Sequence, residues 1–123
     1  MVQEEISELL SESKSWKDSL VSYRETYVQS QKSLLGIASG ELPKEKLSDL
    51  EHFQNQFYIQ LLNIHDVKKD IKNHIHQLTS HTETHSADEL KSNHNKLKDS
   101  YDSLVKELEN LSEEFKEFSS ATA

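Results

Sequence analysis

The stretch LKSNHNKLKDSYDSLVKELENLSEEFKEF, from Leu90 to Phe118, decides the fold. Mostly apolar or aromatic side chains recur in it at alternating spacings of four and three residues. This pattern places them on one side of an α-helix and indicates a seam that packs against other helices. The seam positions are Leu90, His94, Leu97, Tyr101, Leu104, Leu108, Leu111, Phe115 and Phe118. The sequence therefore predicts a helix over about residues 87–118, followed by a frayed tail at 119–123.

Two further seams of the same kind precede it in the chain. The first comprises Val2, Ile6, Leu9, Ser13, Trp16, Leu20, Tyr23, Tyr27, Ser30, Leu34 and Ile37. The second comprises Leu47, Leu50, Gln54, Phe57, Leu61, Ile64, Lys68, Ile71, Ile75 and Leu78, with Phe53 beside Gln54. They predict helices over about residues 2–39 and 43–79. We expect the seam aromatics in the core. The two ionisable exceptions, Lys68 and His94, are expected to lie at the edge of the bundle or to mark the register of the helices rather than to form a site.

Turn-forming and helix-capping residues separate the three helices. Gly40 predicts the end of the first helix, and Pro43 fits the first turn of the second, where its missing N–H costs nothing. The polar segment 79–85 predicts a connector, and Ser86 with Glu89 forms a capping box that begins the third helix. Because short connectors force neighbouring helices to be antiparallel, the predicted fold is an all-α, elongated, antiparallel up-down-up three-helix bundle.

Length and composition favour a single domain of this class. The chain of 123 residues contains 33% hydrophobic and 29% charged residues, with only 2 Gly and 1 Pro, which is too few turn-formers for a many-stranded sheet. We therefore expect one bundle over residues 1–118. The formal net charge of −8 repels phosphate groups, so nucleic acid is not an expected partner.

The expected location follows from features that the sequence lacks. It has no apolar run of the ~20 residues that cross a bilayer, no signal peptide at its start and no cysteine. These features favour a cytoplasmic protein without a membrane partner, with the nucleus as a second location. A seam can pack within one chain or between chains, and we expect a monomer.

The junction between the first two helices resembles that of a known family. Residues 34–45, LLGIASGELPKE, are similar to the junction of helices 1 and 2 in long BAG domains of the founding-cochaperone type. The family pattern is Leu, any residue, Gly-Ile, two residues, Gly, one residue, Leu-Pro-Lys and an acid. The order and lengths of the three helices also agree. The resemblance implies a cochaperone module that binds the nucleotide-binding ATPase domain of a DnaK-type heat-shock chaperone and promotes nucleotide exchange.

The resemblance also implies which residues of the second helix contact the chaperone. In BAG domains two acids on helix 2 make such contacts. Counting without gaps from Pro43 assigns these positions to Asn63 and Asn73, which keep the shape but not the charge. A small gap assigns them instead to Asp66 or Asp70, and the helical register allows either alignment.

On helix 3 the family uses an Arg and a Gln. The cation nearest to the Arg position is Lys91, and Asn95 or Asp99 takes the Gln position. Lys lacks the rigid bidentate fork of Arg, so a contact through Lys91 would be weaker or differently shaped. The implied partner-binding residues are Asn63, Asp66, Asp70, Asn73, Lys91, Asn95 and Asp99.

Two other functions remain as alternatives. A structural or scaffolding bundle comparable to a spectrin repeat would have similar heptads and no chaperone activity. His65, followed by Val67 and Lys68, faintly resembles the phosphorylated helix of histidine phosphotransfer domains, which is a minor alternative. Those domains carry Gly where this chain has Lys69, and they require a fourth helix.

Histidines are the residues of this chain that could suggest a metal site. His74, His76, His81, His85 and His94 cluster around the second connector, and imidazoles are ligands for zinc or nickel. A metal site needs three or four converging ligands, so the pattern favours a mobile His-rich loop that responds to pH near 6. There is no Gly-rich phosphate loop, nucleophile elbow or zinc-finger spacing. We therefore expect no metal, no cofactor and no enzymatic activity.

Overall fold

The computed structural model describes residues 3–40, 42–80 and 86–122, which contain three α-helices of 36 residues each. The helices are α1 (Gln3–Ala38), α2 (Lys44–Thr79) and α3 (Ala87–Thr122). Each is about 54 Å long at a rise of 1.5 Å per residue. None of the three described helices has the length of apolar sequence that a membrane span requires. The predicted all-α three-helix bundle is confirmed.

Contacts between α1 and α3 show that these two helices run in the same direction. Near their first turns, Glu5 of α1 lies 3.4 Å from Lys91 of α3. Further along both helices, the buried hydroxyl of Tyr27 donates a hydrogen bond to the backbone carbonyl of Leu108. Residue numbers therefore increase together along the interface between α1 and α3.

The middle helix, α2, runs antiparallel to α3. Near the end of α2, His74 contacts His94, which lies in the first part of α3. Near its start, the ring of Phe57 packs edge-on against Phe115, with centroids 4.9 Å apart. Residue numbers thus increase along one helix while they decrease along the other, which gives the up-down-up order.

The predicted seams form the core of the bundle. Along α3 every seam residue is buried except the half-buried Tyr101, and along α1 every described seam residue is buried or half-buried. Val2 lies outside the described residues. One hydrophobic core cluster contains Trp16, Leu20, Tyr27, Leu34, Phe53, Phe57, Ile64, Ile71, Leu97, Leu104, Leu108, Leu111, Phe115 and Phe118.

The buried face of α2 departs from its predicted seam. Phe53 is buried whereas the neighbouring Gln54 is exposed, and Leu47 is also exposed. Two polar residues beside the seam, Gln60 and His74, are buried. A helix with 3.6 residues per turn drifts relative to a strict heptad repeat, and Gln60 and His74 make hydrogen bonds to α3 from positions beside the seam. Its buried face is therefore wider than the seam.

The first connector differs from its prediction in two details. The N–H of Gly40 donates to the carbonyl of Ile37 at 3.2 Å, and its backbone is not in the left-handed region, so α1 does not end at a left-handed glycine cap. Pro43 is the N-cap of α2 rather than a residue of its first turn, with φ −59° and ψ 151°. Its carbonyl accepts from the N–H of Lys46 at 2.9 Å. The extended backbone at proline separates the helices.

The third helix begins as predicted and ends later. The Oγ atom of Ser86 accepts a hydrogen bond from the N–H of Glu89 at 3.1 Å, which satisfies one free donor of the first turn. The helix continues to Thr122, past the predicted end at Phe118, because no Gly or Pro interrupts it there. Residues 81–85 of the predicted connector lie outside the described residues.

Candidate partner-binding surface

A groove with polar walls runs along the outside of the bundle between α2 and α3, and we call it the α2/α3 groove. Asn63 and Glu107 line it near the middle of the bundle, and Ser100 lines its continuation toward the end of α2. Its polar lining includes Asn63, Asp66, Asp70, Asn73 and Gln77 of α2, and Asn93, Lys96, Asp99, Ser100, Ser103 and Glu107 of α3. The groove thus offers mainly carboxylate, amide and hydroxyl groups.

Five of the seven residues implied by the resemblance line this groove. Asn63, Asp66, Asp70 and Asn73 lie on its α2 wall, and Asp99 lies on its α3 wall. Asn63 is half-buried and the other four are exposed. The four residues of α2 recur at spacings of three and four, so they share one side of the helix. The two alternative alignments of α2 therefore lead to the same surface.

Lys91 and Asn95 do not join this group. They line a separate groove between α1 and α3, where Lys91 lies 3.4 Å from the carboxylate of Glu5. Lys91 follows the seam residue Leu90, and Asn95 follows the seam residue His94. The side of α3 that carries these two residues faces α1. Lys91 and Asn95 therefore lie on a different side of α3 from Asp99.

The floor of the α2/α3 groove contains a polar link that the sequence analysis missed. The buried Gln60 donates from Nε2 to the Glu107 carboxylate at 3.3 Å and accepts from Nδ2 of Asn63 at 3.1 Å. Gln60 follows Phe57 by three residues and precedes Ile64 by four, so its position on the buried side could have been found from helical geometry. The strict four-three spacing assigned Leu61 to this turn of the seam instead.

A chain of ionisable side chains crosses the interior near the end of α2. Nε2 of His94 lies 2.9 Å from Oε1 of Glu12, and Nδ1 of His94 lies 2.9 Å from Nε2 of His74. With both rings neutral, His74 donates to His94, which donates to the carboxylate. The indole of Trp16 stacks on His94 with centroids 4.7 Å apart. His94 is therefore a core residue. Of the two roles predicted for it, the position at the bundle edge is wrong, and the role in marking the register stays a prediction.

The environment of His74 opposes its protonation. Burial lowers its pKa to about 4, and the neighbouring His94 lowers it in the same direction. His74 is therefore neutral at pH 7. Its Nε2–H donor is satisfied inside the protein, so the imidazole is a structural link between α2 and α3.

Of the remaining histidines around the second connector, the structure describes only His76, and it does not join this pair. His76 is exposed on α2, and His81 and His85 lie outside the described residues. Within residues 3–40, 42–80 and 86–122, no group of three or more His, Cys, Asp or Glu side chains could hold a metal ion. Among its three described members, the predicted cluster therefore contains one buried pair, His74 with His94.

The α2/α3 groove is suited to recognition of a polar protein surface. Its side chains lie on two long helices whose backbones are fixed by a common core, so they offer hydrogen-bonding groups in a fixed arrangement. Carboxylates in such positions bind Arg and Lys side chains of a partner. In comparisons with family models, curated proteins and solved structures, the chain has no significant match.

Proposed function

We propose that this chain is a BAG-type cochaperone module. Its α2/α3 groove binds the nucleotide-binding domain of a DnaK-type heat-shock chaperone and promotes nucleotide exchange. The observation that supports this proposal is that five of the residues implied by the resemblance line one groove. Asp66, Asp70 and Asp99 supply exposed carboxylates there, and cationic side chains of the chaperone domain are their natural partners.

The proposal assigns no contact to Lys91, whose side chain pairs with Glu5 on the α1 side of α3. The cation on the α3 wall of the groove is Lys96, which is exposed and lies in the same part of the groove as Asp70 and Asn73. We assign to Lys96 the role that the resemblance gives to an Arg. A single ammonium group is a weaker and less directional contact than a guanidinium fork.

Nucleotide exchange requires no chemical group from the module. A protein that binds the open form of a nucleotide cleft more tightly than the closed form shifts the equilibrium toward the open form. Two features of the bundle favour this role. Its helices are each 36 residues long, and aromatic side chains from α1, α2 and α3 pack in one core. The groove therefore keeps its shape when it binds the chaperone domain.

The proposal is tested with the purified chain and the nucleotide-binding domain of a DnaK-type chaperone. Calorimetry measures binding, and a fluorescent ADP preloaded on the chaperone domain reports its release. We expect binding, and faster release as the concentration of the chain rises. Absence of binding, or binding with an unchanged release rate, would contradict the cochaperone function.

A scaffolding bundle is the second candidate, and a separate observation favours it. Tyr58, Ile59 and Leu62 lie close together along α2 and are 62%, 44% and 48% exposed. Large apolar side chains exposed together indicate contact with another protein. Under this function the substitutions Tyr58→Ser and Leu62→Ser would remove association with the partner, while release of ADP from the chaperone domain would not change.

A further inference from the structure

A cluster of positive charges lies between α1 and α2, away from the α2/α3 groove. Lys17 and Arg24 are seven residues apart on α1, and Lys68 and Lys72 are four residues apart on α2, so each pair shares one side of its helix. The rings of Tyr27 and Phe57 pack together, and Trp16 and His74 both contact His94, so residues 17–24 of α1 lie beside residues 58–73 of α2. In agreement with this placement, burial lowers the pKa of Lys68, and the charges of Lys72, Arg24 and Lys17 lower it further. We call these four residues the basic cluster.

The ion pairs between described residues do not include any member of the basic cluster. Among the described residues, none of the four cations forms an ion pair with a carboxylate, in contrast to Lys91 with Glu5. Arg24 and Lys72 are exposed and the other two are half-buried. In a chain with a net charge of −8, this is a local concentration of positive charge.

Apolar side chains accompany the basic cluster. Val21 is exposed and lies between Lys17 and Arg24 on the same side of α1. On α2, the half-buried Leu61 lies two turns before Lys68 on the same side. The surface therefore combines cations with apolar groups, which is the complement of a helix that carries acids and apolar residues on one face.

We propose that the basic cluster binds an acidic amphipathic helix of a partner protein. Asp or Glu side chains of that helix pair with the four cations, and an apolar residue between them covers Val21. A longer polyanion fits less well, because DNA or an anionic bilayer extends beyond the cluster and meets the acidic remainder of the surface within a Debye length of about 10 Å. This site is separate from the α2/α3 groove and does not depend on the cochaperone function.

The first experiment measures binding of a defined probe by fluorescence anisotropy. The probe is a labelled helical peptide of about 15 residues, or four helical turns, built from Glu, Ala and Leu with Leu along one face. The same peptide with Lys in place of Glu is the control. We expect binding of the Glu peptide alone, weakening by about tenfold or more when salt is raised from about 0.05 to about 0.5 M. Binding of both peptides, or of neither, would overturn the proposal.

The second experiment locates the site with two charge-matched variants. Arg24→Glu with Lys72→Glu should weaken binding of the Glu peptide by about tenfold or more. Lys98→Glu with Lys106→Glu makes the same change in net charge at exposed positions of α3 and should leave binding unchanged. Circular dichroism checks that both variants remain helical. Equal loss of binding in the two variants would refute the assigned site.

The same variants distinguish other occupants of the cluster. Duplex DNA, vesicles of phosphatidylcholine with phosphatidylserine, and a second copy of this chain are each tested at low salt, the last by sedimentation. We expect none of them to bind more tightly than the Glu peptide. Tighter binding of any one, lost with Arg24→Glu and Lys72→Glu, would replace the acidic helix as the partner.

Discussion

His74 and His94 are joined by a hydrogen bond of 2.9 Å between Nε2 of His74 and Nδ1 of His94. The other ring nitrogen of His94, Nε2, is hydrogen-bonded to the carboxylate of Glu12 on α1. The two histidines and Glu12 therefore connect all three helices. The two imidazoles are only 4% and 3% exposed. Because a buried polar group is costly when it loses its partner, this link favours one register of α2 against α3.

We expect the free energy of unfolding to decrease as the pH falls from 6.5 to about 4. The pKa of His74 is about 4 in the folded protein against 6.5 for an ordinary His, so the unfolded chain binds more protons in this window. The difference of 2.5 pKa units at 1.36 kcal/mol each corresponds to a loss of about 3 kcal/mol at pH 4. Urea unfolding followed by circular dichroism at several pH values measures it.

Two variants isolate this contribution from that of other groups. His74→Phe should lower stability at pH 7 because His94 loses a partner, but it should flatten the dependence on pH between 6.5 and 4. His76→Phe, at an exposed position of the same helix, should keep the original slope. An unchanged slope in His74→Phe would show that another group causes the loss.

The aromatic packing around Phe57 should dominate the stability of the end of the bundle where α2 begins. Phe57 is fully buried and its ring contacts Tyr27, Phe53 and Phe115. We expect Phe57→Ala to destabilise the protein by about 3–5 kcal/mol, because it leaves a cavity between the three helices. Tyr58→Ala removes an exposed aromatic at the next position and should cost about 0.5 kcal/mol or less. Urea denaturation of both variants compares them.

The start of α3 should depend on the hydroxyl group of Ser86. Its Oγ accepts the N–H of Glu89, and Ser86→Ala leaves that donor without its cap. We expect a loss of about 1 kcal/mol in unfolding free energy. Ser92→Ala, at an exposed position inside α3, should be neutral or slightly stabilising because Ala is the better helix former. Equal effects of the two substitutions would exclude a capping role.

The α2/α3 groove predicts which substitutions weaken binding to the chaperone domain. Asp66→Asn and Asp70→Asn remove charge with little change in shape, and each should cost about 1–3 kcal/mol of binding free energy. Lys91→Ala should have little effect, because Lys91 faces α1. The pair Asp18→Asn and Asp49→Asn makes the same chemical change at exposed positions that do not line the described groove. Calorimetry should detect no change for that pair, and equal weakening by it would contradict the assigned surface.

The fold was predictable from the sequence where one narrow face of a helix is buried. Along α3, the strict spacing from Leu90 to Phe118 matches the buried positions, because this helix presents one stripe to its neighbours. Along α2, Gln60 and His74 are buried through hydrogen bonds to Glu107 and His94. Such pairing depends on which residues face each other across an interface. It therefore cannot be predicted from the periodicity of one helix alone.

The candidate site was predictable only in part. The spacing along α2 places the residues of both alignments on one wall of the groove. These are Asn63 and Asn73 without a gap, and Asp66 or Asp70 with one. The flank of α3 that faces α2 is set by the hand in which three helices are arranged, and a heptad pattern is the same for both hands. Asp99 lies on the α2 side, whereas Lys91 and Asn95 lie on the α1 side. The basic cluster was missed because its members come from distant parts of the chain.

The up-down-up order of three equal helices has a mechanical consequence. Because the number of helices is odd, the first residue of α1 and the last residue of α3 lie at opposite ends of the bundle. Gln3 and Thr122 are therefore about one helix length, or 54 Å, apart. Tension applied through these two points pulls along the helix axes. Such tension would apply a shear force to many interhelical contacts at the same time. In a two-helix hairpin pulled from its adjacent ends, the contacts would instead break one after another.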